Sequence, residues 1–141
     1  MTGFDAQHQP DAGRMREFDT GATRDTNEGR LDYEGFLSPL ALRRFAQYMH
    51  HHRKQADGKL RASDNWQKGM PQEVYLQSLM RHVMDVWLIQ RGYKQVAEAM
   101  TVEEALCGVM FNVQGLLHER LATWHSIHTA GPPAPLAKET E

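Results

Sequence analysis

Asn65, Trp66 and Lys68 stand in one polar run, Ser63-Asp64-Asn65-Trp66-Gln67-Lys68-Gly69-Met70-Pro71, and Ser78, Arg81, His82 and Asp85 follow it at spacings of three and four. These side-chain types can handle a flat, charged small molecule. An indole either anchors its loop on a core or stacks on a ring, and Lys68 beside Gly69 has unobstructed reach toward an anion. Asn65 can bond either local backbone or a polar edge. Helical residues three and four apart share a face, so His82 and Asp85 can reach one point in space, as can Ser78 and His82. The plainer account of the same face is an Arg81–Asp85 surface pair worth a few tenths of a kcal/mol, with His82 partly buried and hydrogen-bonded.

A second group lies further along. Thr101-Val102-Glu103-Glu104 matches a capping box, in which Thr101 caps the amide near Glu104 while Glu104 reaches back. Beyond it, Glu104, Gly108, Asn112, Gly115 and Glu119 form a row along one helix face. Each interior glycine costs a helix about 1 kcal/mol relative to alanine, so a ligand or a packed helix must gain from close approach there. Gly21 and Gly29 each lie close to an arginine, Arg24 and Arg30, and such loops either present donors to phosphate or pair locally with Asp25 and Asp32. The run His50-His51-His52-Arg53-Lys54 suits the negative end of a helix dipole. It reads first as a solvated helix end and second as a phosphate contact. Consecutive helical residues point about 100° apart, so three adjacent histidines cannot all ligate one metal.

Three main helices must position these groups. Ser38-Pro39 opens the first, which runs to about Arg53 with Leu42, Phe45, Ala46 and Met49 as its apolar stripe. The second follows Pro71 and runs to about Arg91, with Gly92 as terminator, and its broad apolar face makes it the central helix. The third starts at Thr101 and continues to roughly Trp124, and a short helix is expected near Tyr93–Met100. No useful strand alternation and no internal repeat is present. The sequence therefore predicts an all-α fold, a small bundle of three main helices with an ordered N-terminal loop and disordered termini. Residues 1–19 read as a flexible arm, 20–128 as a single helical domain and 129–141 as a disordered tail.

The chain has 141 residues, of which 40% are hydrophobic and 24% charged, and a formal charge of −2. That balance gives no overall electrostatic footprint for a nucleic acid. A helix-turn-helix reader would need a basic recognition helix, whereas the third helix offers Glu103, Glu104 and Glu119 against Arg120. Cys107, the single cysteine, stands among apolar residues as an inert thiol. No apolar run reaches the ~18 residues of a membrane span and no leader pattern opens the chain, so a cytoplasmic protein is expected. Three helices with this much apolar surface call for a partner, and self-association supplies one.

Thr20-Gly21-Ala22-Thr23-Arg24-Asp25, Asp64-Asn65-Trp66-Gln67-Lys68-Gly69-Met70-Pro71, Arg81-His82 and the run from Glu103-Glu104-Ala105-Leu106-Cys107 to Phe111-Asn112 together resemble the dATP/dGTP diphosphohydrolase family common in bacteriophages. The resemblance covers about Thr20 to Leu121. That family is similar to the MazG-like, all-α nucleoside triphosphate pyrophosphatases, which use Mg²⁺ or Mn²⁺ to cleave a nucleotide between its α and β phosphates. The resemblance implies a metal-dependent hydrolase that converts purine deoxynucleoside triphosphates to the monophosphate and pyrophosphate. Such chemistry calls for several carboxylates around a hard cation and for cations that neutralise developing charge. The MazG-like group supplies a Glu-x-x-Glu and a Glu-x-x-Asp pair; here the comparable pairings are His82-x-x-Asp85 and adjacent Glu103-Glu104.

On that resemblance the metal ligands are Asp85 and Glu104, with Glu103 as alternate, and His82 acts as ligand or orienting base. Arg24, Lys68 and Arg81 would hold the triphosphate, Trp66 would stack the base, and Asn65 or Asn112 would bond sugar or base edges. The expected site is a cleft between the second helix and the Glu104/Gly108/Asn112 row, closed over by the Arg24 loop. The competing reading is a noncatalytic phage module that keeps a nucleotide- or protein-binding helical surface.

Overall fold

The computed structural model describes residues 15–99 and 101–129. The chain divides at Ser38/Pro39 into two units. In the first, strands β1 (Met15–Glu17) and β2 (Thr23–Asp25) pair antiparallel, with Arg16 opposite Arg24. The turn between them closes through the Phe18 amide to the Ala22 carbonyl at 2.9 Å and the Gly21 amide to the Phe18 carbonyl at 2.7 Å. Gly21 has φ +81°, which residues with a Cβ rarely adopt. A single-turn helix α1 (Tyr33–Phe36) follows, capped by Asp32, whose Oδ1 accepts from the Gly35 amide at 2.9 Å. Strands and α1 were not legible in the sequence, because three- and four-residue elements are too short to show a period. Residues 15–17, expected within a flexible arm, form the first of those strands.

The second unit is the helical bundle, made by α2 (Pro39–His51), α3 (Gln72–Gln90) and α4 (Val102–Thr129). Pro39 opens α2, as its fixed φ allows, and Arg91 and Gly92 end α3, with Gly92 at φ +87°. The short helix expected near Tyr93 is a 3-10 turn, Lys94–Val96. Thr101 starts α4 by accepting from the Glu104 amide at 3.1 Å, the bond expected of its capping box.

An antiparallel hairpin of α3 and α4 is the structural centre. A Cβ built on Gly108 would lie 2.6 Å from His82 Cε1 and Cγ, and one on Gly115 would lie 2.6 Å from Tyr75 Cζ. Residue 75 thus faces 115 and residue 82 faces 108, a constant antiparallel register. Along the seam, Tyr75, Ser78, His82 and Asp85 of α3 meet Gly115, Asn112, Gly108 and Ala105 of α4, large against small. Tyr75 and Ala105 are completely buried, Asn112 is nearly so, and its Nδ2 donates to the Gly108 carbonyl at 2.7 Å. The glycine row gains from a helix at van der Waals distance, which excludes the expected cleft between these two helices.

Helix α2 packs on another side of α4, the side bearing Cys107 and Phe111. Phe45 is its buried contact, and the Cys107 thiol is buried and pushed up in pKa by that burial, as an inert structural cysteine should be. No described helix is long and apolar enough to cross a membrane.

Candidate functional site

The chain leaves α2 into a tight hairpin. The Arg61 amide donates to the Arg53 carbonyl and the Gln55 amide to the Lys59 carbonyl, both at 2.8 Å, and Lys54 bridges Leu60. Gly58, at φ +82°, makes the reversal, and Asp57 Oδ1 accepts from the Lys59 amide at 3.0 Å. The next loop winds into a 3-10 turn, Asn65–Lys68, which Gly69 ends at φ +99°. Trp66 anchors that turn on α4, its ring edge-on to His118 with centroids 4.9 Å apart and planes at 72°. Anchoring does not remove the indole from solvent-accessible space, because it also lines a cleft.

That cleft has a volume of about 720 Å³, within the range of roughly 300–1,000 Å³ usual for small-molecule sites. Ala46, Met49, Trp66, Met70 and Phe111 give it an apolar wall. Tyr48, His50, His52, Arg53, Arg61, Ser63 and Asn65 give it a polar one. Among the described residues no aspartate or glutamate lines it. The His52 Nδ1 lies 2.9 Å from the Tyr48 carbonyl, which can only accept, so that nitrogen carries a proton and Nε2 is left for other partners. Burial raises the pKa of the Tyr48 phenol, and Cys107 and Glu104 raise it further, so it remains a neutral hydroxyl. An apolar slot bordered by aromatic rings, with cations on its polar side, can hold a planar ring attached to an anion.

The structure brings Asn65 and Trp66 to this cleft, and the other expected site residues of the helical unit lie elsewhere in that unit. Lys68 shares the Trp66 turn but is exposed outside the lining, and Arg81 is exposed on α3. Arg24 belongs to β2 of the first unit. Asn112 is nearly fully buried in the α3/α4 seam, with its Nδ2 bonded to the Gly108 carbonyl, and so presents almost no surface to a sugar or base.

His82 also fills the seam, where its Nδ1 is buried without a hydrogen-bond partner among the described residues. Burial lowers its pKa, and neighbouring Asp85 opposes that shift only in part. Asp85 is buried and spent on backbone, its Oδ1 accepting from the Glu98 amide at 3.0 Å and its Oδ2 from the Ala99 amide at 3.1 Å. It thereby ties the α3–α4 connection to α3. Glu103 and Glu104 occupy the first turn of α4, where negative charge suits the helix dipole. Among the described residues no three His, Cys, Asp or Glu side chains are grouped to hold one ion. The donor set for the Mg²⁺ or Mn²⁺ that the resemblance implies is therefore not assembled in this conformation, and the expected Asp85–Glu104–Glu103 site does not fit it.

Sequence reasoning missed Tyr48, Met49, Met70, Phe111 and Arg61 as cleft residues, and read His52 and Arg53 first as a solvated helix end and only second as a phosphate contact. The basic run at the end of α2 was the available signal. No family model, curated protein or solved structure matches the chain.

Proposed function

We propose that this chain acts on nucleoside triphosphates, as the family resemblance of its motifs implies, with the purine base held in the cleft beside Trp66. The observation that supports this reading most directly is the cleft itself: an aromatic slot holding Asn65 and Trp66, with arginine and histidine at its polar side and no acidic residue among the described residues that line it. Trp66 is fixed by His118, so it offers a preorganised stacking surface with little ordering cost on binding. Such substrates are free cytoplasmic metabolites, and this reading would put the chain with them. Incubating purified protein with each dNTP and Mg²⁺ or Mn²⁺ should release pyrophosphate, fastest with dATP or dGTP. No turnover of any nucleotide would sink the hydrolase reading.

One observation favours the noncatalytic alternative. Both Asp85 oxygens already accept from backbone amides, and no metal-holding group is assembled among the described residues. Saturable nucleotide binding without pyrophosphate release would select that alternative, and Trp66→Ala should weaken such binding about tenfold or more, the scale of one lost stacking contact.

We infer that a second copy of the chain covers one side of the α3/α4 hairpin. Leu76, Met80, Val83 and Trp87 of α3 and Leu106, Val113 and Leu117 of α4 are each 41–59% exposed. Both stripes are displaced in the same rotational sense from the seam residues, and in an antiparallel pair that places them on the same side, away from Cys107 and Phe111 where α2 packs. With Leu121 and Trp124 they expose on the order of 1,000 Å², more than the ~800 Å² that each partner of a standard interface buries. Among the described residues only Phe45, Tyr75, Ala105 and Cys107 form the buried apolar core, too few to leave such a face uncovered. Sedimentation should show a dimer or larger at micromolar concentration, and Leu117→Glu with Val83→Glu should yield the monomer. A wild-type monomer at 100 µM, about the top of the useful range, would refute this packing.

A further inference from the structure

Two arginines are built into the stem of the hairpin that follows α2. Arg53 and Arg61 stand opposite each other across it, joined by the 2.8 Å bond from the Arg61 amide to the Arg53 carbonyl. Opposed residues of an antiparallel pair put their side chains on one face, with Cβ atoms about 4.5–5.5 Å apart. Like charges in that position repel and destabilise the pair. Among the described residues no ion pair compensates for this at either arginine, although Asp57 and Asp64 are close in sequence. Asp57 is instead used inside the turn, on the Lys59 amide.

Arg53 is held in place rather than left to swing. Its Nε donates to the Arg61 carbonyl at 2.7 Å, which fixes the guanidinium plane while sparing both terminal nitrogens. Arg61 stands free of side-chain bonds among the described residues and is exposed. Both line the same cleft as Trp66 and Phe111. A planar cation with two spare donors, a second cation across the stem and an aromatic slot beside them is the arrangement that a phosphoryl group satisfies. An anion between the guanidinia would remove their repulsion and accept from both.

We propose that Arg53 and Arg61 form a phosphate clamp, which holds the phosphoryl chain of a ligand whose ring lies against Trp66 and Phe111. The clamp deepens the nucleotide reading and depends on it only for the identity of the ring. Within the helical unit it replaces Lys68 and Arg81 as the groups that meet the phosphates. Guanidinium–phosphate bonds are charge-assisted, so loss of either arginine weakens binding by about tenfold or more, roughly 1.4 kcal/mol.

Calorimetric titration of the full chain with inorganic tripolyphosphate, dATP and deoxyadenosine separates the possibilities, using wild type, Arg61→Gln, Arg53→Gln and Arg61→Lys. Arg53→Gln removes the bond to the Arg61 carbonyl and can loosen the hairpin, whereas the Arg61 side chain supports nothing else, so Arg61→Gln is the decisive variant. The clamp predicts tripolyphosphate and dATP binding that Arg61→Gln weakens about tenfold or more and Arg61→Lys weakens less. Deoxyadenosine binding should change less than about twofold. Equal affinity of wild type and Arg61→Gln for tripolyphosphate and dATP, or no binding of either by wild type, overturns the clamp. Tripolyphosphate binding that depends on the arginines and gains nothing from a base upholds the clamp and refutes the nucleotide reading.

Discussion

Replacing Gly115 by alanine tests whether the hairpin seam is as close as the structure shows. In an open helix this change would stabilise by about 1 kcal/mol, since glycine is the poorer helix former. Here the new Cβ would lie 2.6 Å from Tyr75 Cζ and 2.9 Å from its Cδ1, against the roughly 3.5–4.0 Å of an unstrained carbon contact. The ring has no easy escape: Tyr75 is completely buried, with the Phe111 ring centroid 6.0 Å away. Relief therefore requires α3 and α4 to part by about 1 Å, a gap that forfeits a quarter to a half of each contact well along the seam. A clash this close belongs at the upper end of the about 1–3 kcal/mol that overpacking costs, which leaves a net loss of about 1–2 kcal/mol after the propensity gain. A domain of this size loses about 4–8 °C in Tm per kcal/mol, so Gly115→Ala should melt roughly 4–16 °C lower at equal protein concentration. Far-UV circular dichroism is the assay, with exposed Gln114→Ala as a control within about 0.5 kcal/mol of wild type. In a Tyr75→Ala background the Gly115→Ala penalty should vanish. A Gly115→Ala protein that melts at or above wild type would refute the close seam, and with it the register that removes His82 and Asn112 from the ligand site.

Other consequences are as direct. Asp85→Asn replaces an acceptor with an NH₂ group facing a backbone amide, and should cost about 1–3 kcal/mol in denaturant titration; an unchanged midpoint would deny the tie to Glu98 and Ala99, and loss of activity in this variant says nothing about metal unless folding is also measured. Burial holds the folded His82 pKa below its ordinary 6.5, so the unfolded chain takes up a proton first as pH falls. The stability contributed by neutral His82 is thus complete above about pH 6.5 and declines on acidification, by at most ~1.4 kcal/mol per pH unit and less for a ring partly open to solvent. His82→Gln should flatten that decline in urea midpoints between pH 5 and 8, roughly the titration window, and an equal decline would count against it. The Tyr75 hydroxyl is buried with no partner among the described residues, so Tyr75→Phe should match or exceed wild-type stability, whereas a loss above about 1 kcal/mol would reveal a bond to it.

Helix starts and stops were legible because they depend on local chemistry. Pro39, the Thr101 cap and Gly92 act through φ preferences and nearby amides, which no distant residue has to supply. The close approach at Gly108 and Gly115 was legible too, since interior glycine costs a helix too much to persist unrewarded. What approaches them was not. The spacing that puts Ser78, His82 and Asp85 on one face serves an open site and a helix interface equally well, and only the position of α4 decided for the interface. Asp85 shows the same limit, because its two amide partners lie thirteen and fourteen residues away, beyond the reach of any local pattern.

The cleft is the clearest case of a property that tertiary structure created. A formal charge of −2 is a sum over the chain and conceals where charges gather. The hairpin after α2 sets Arg53 opposite Arg61, and the edge-on contact with His118 fixes Trp66 in the same cleft as both. By itself the sequence determined an all-α chain with Asn65 and Trp66 in a loop able to meet a ligand. Folding decided which cations meet that loop, because proximity across a turn and across helices is set by packing and not by order along the chain.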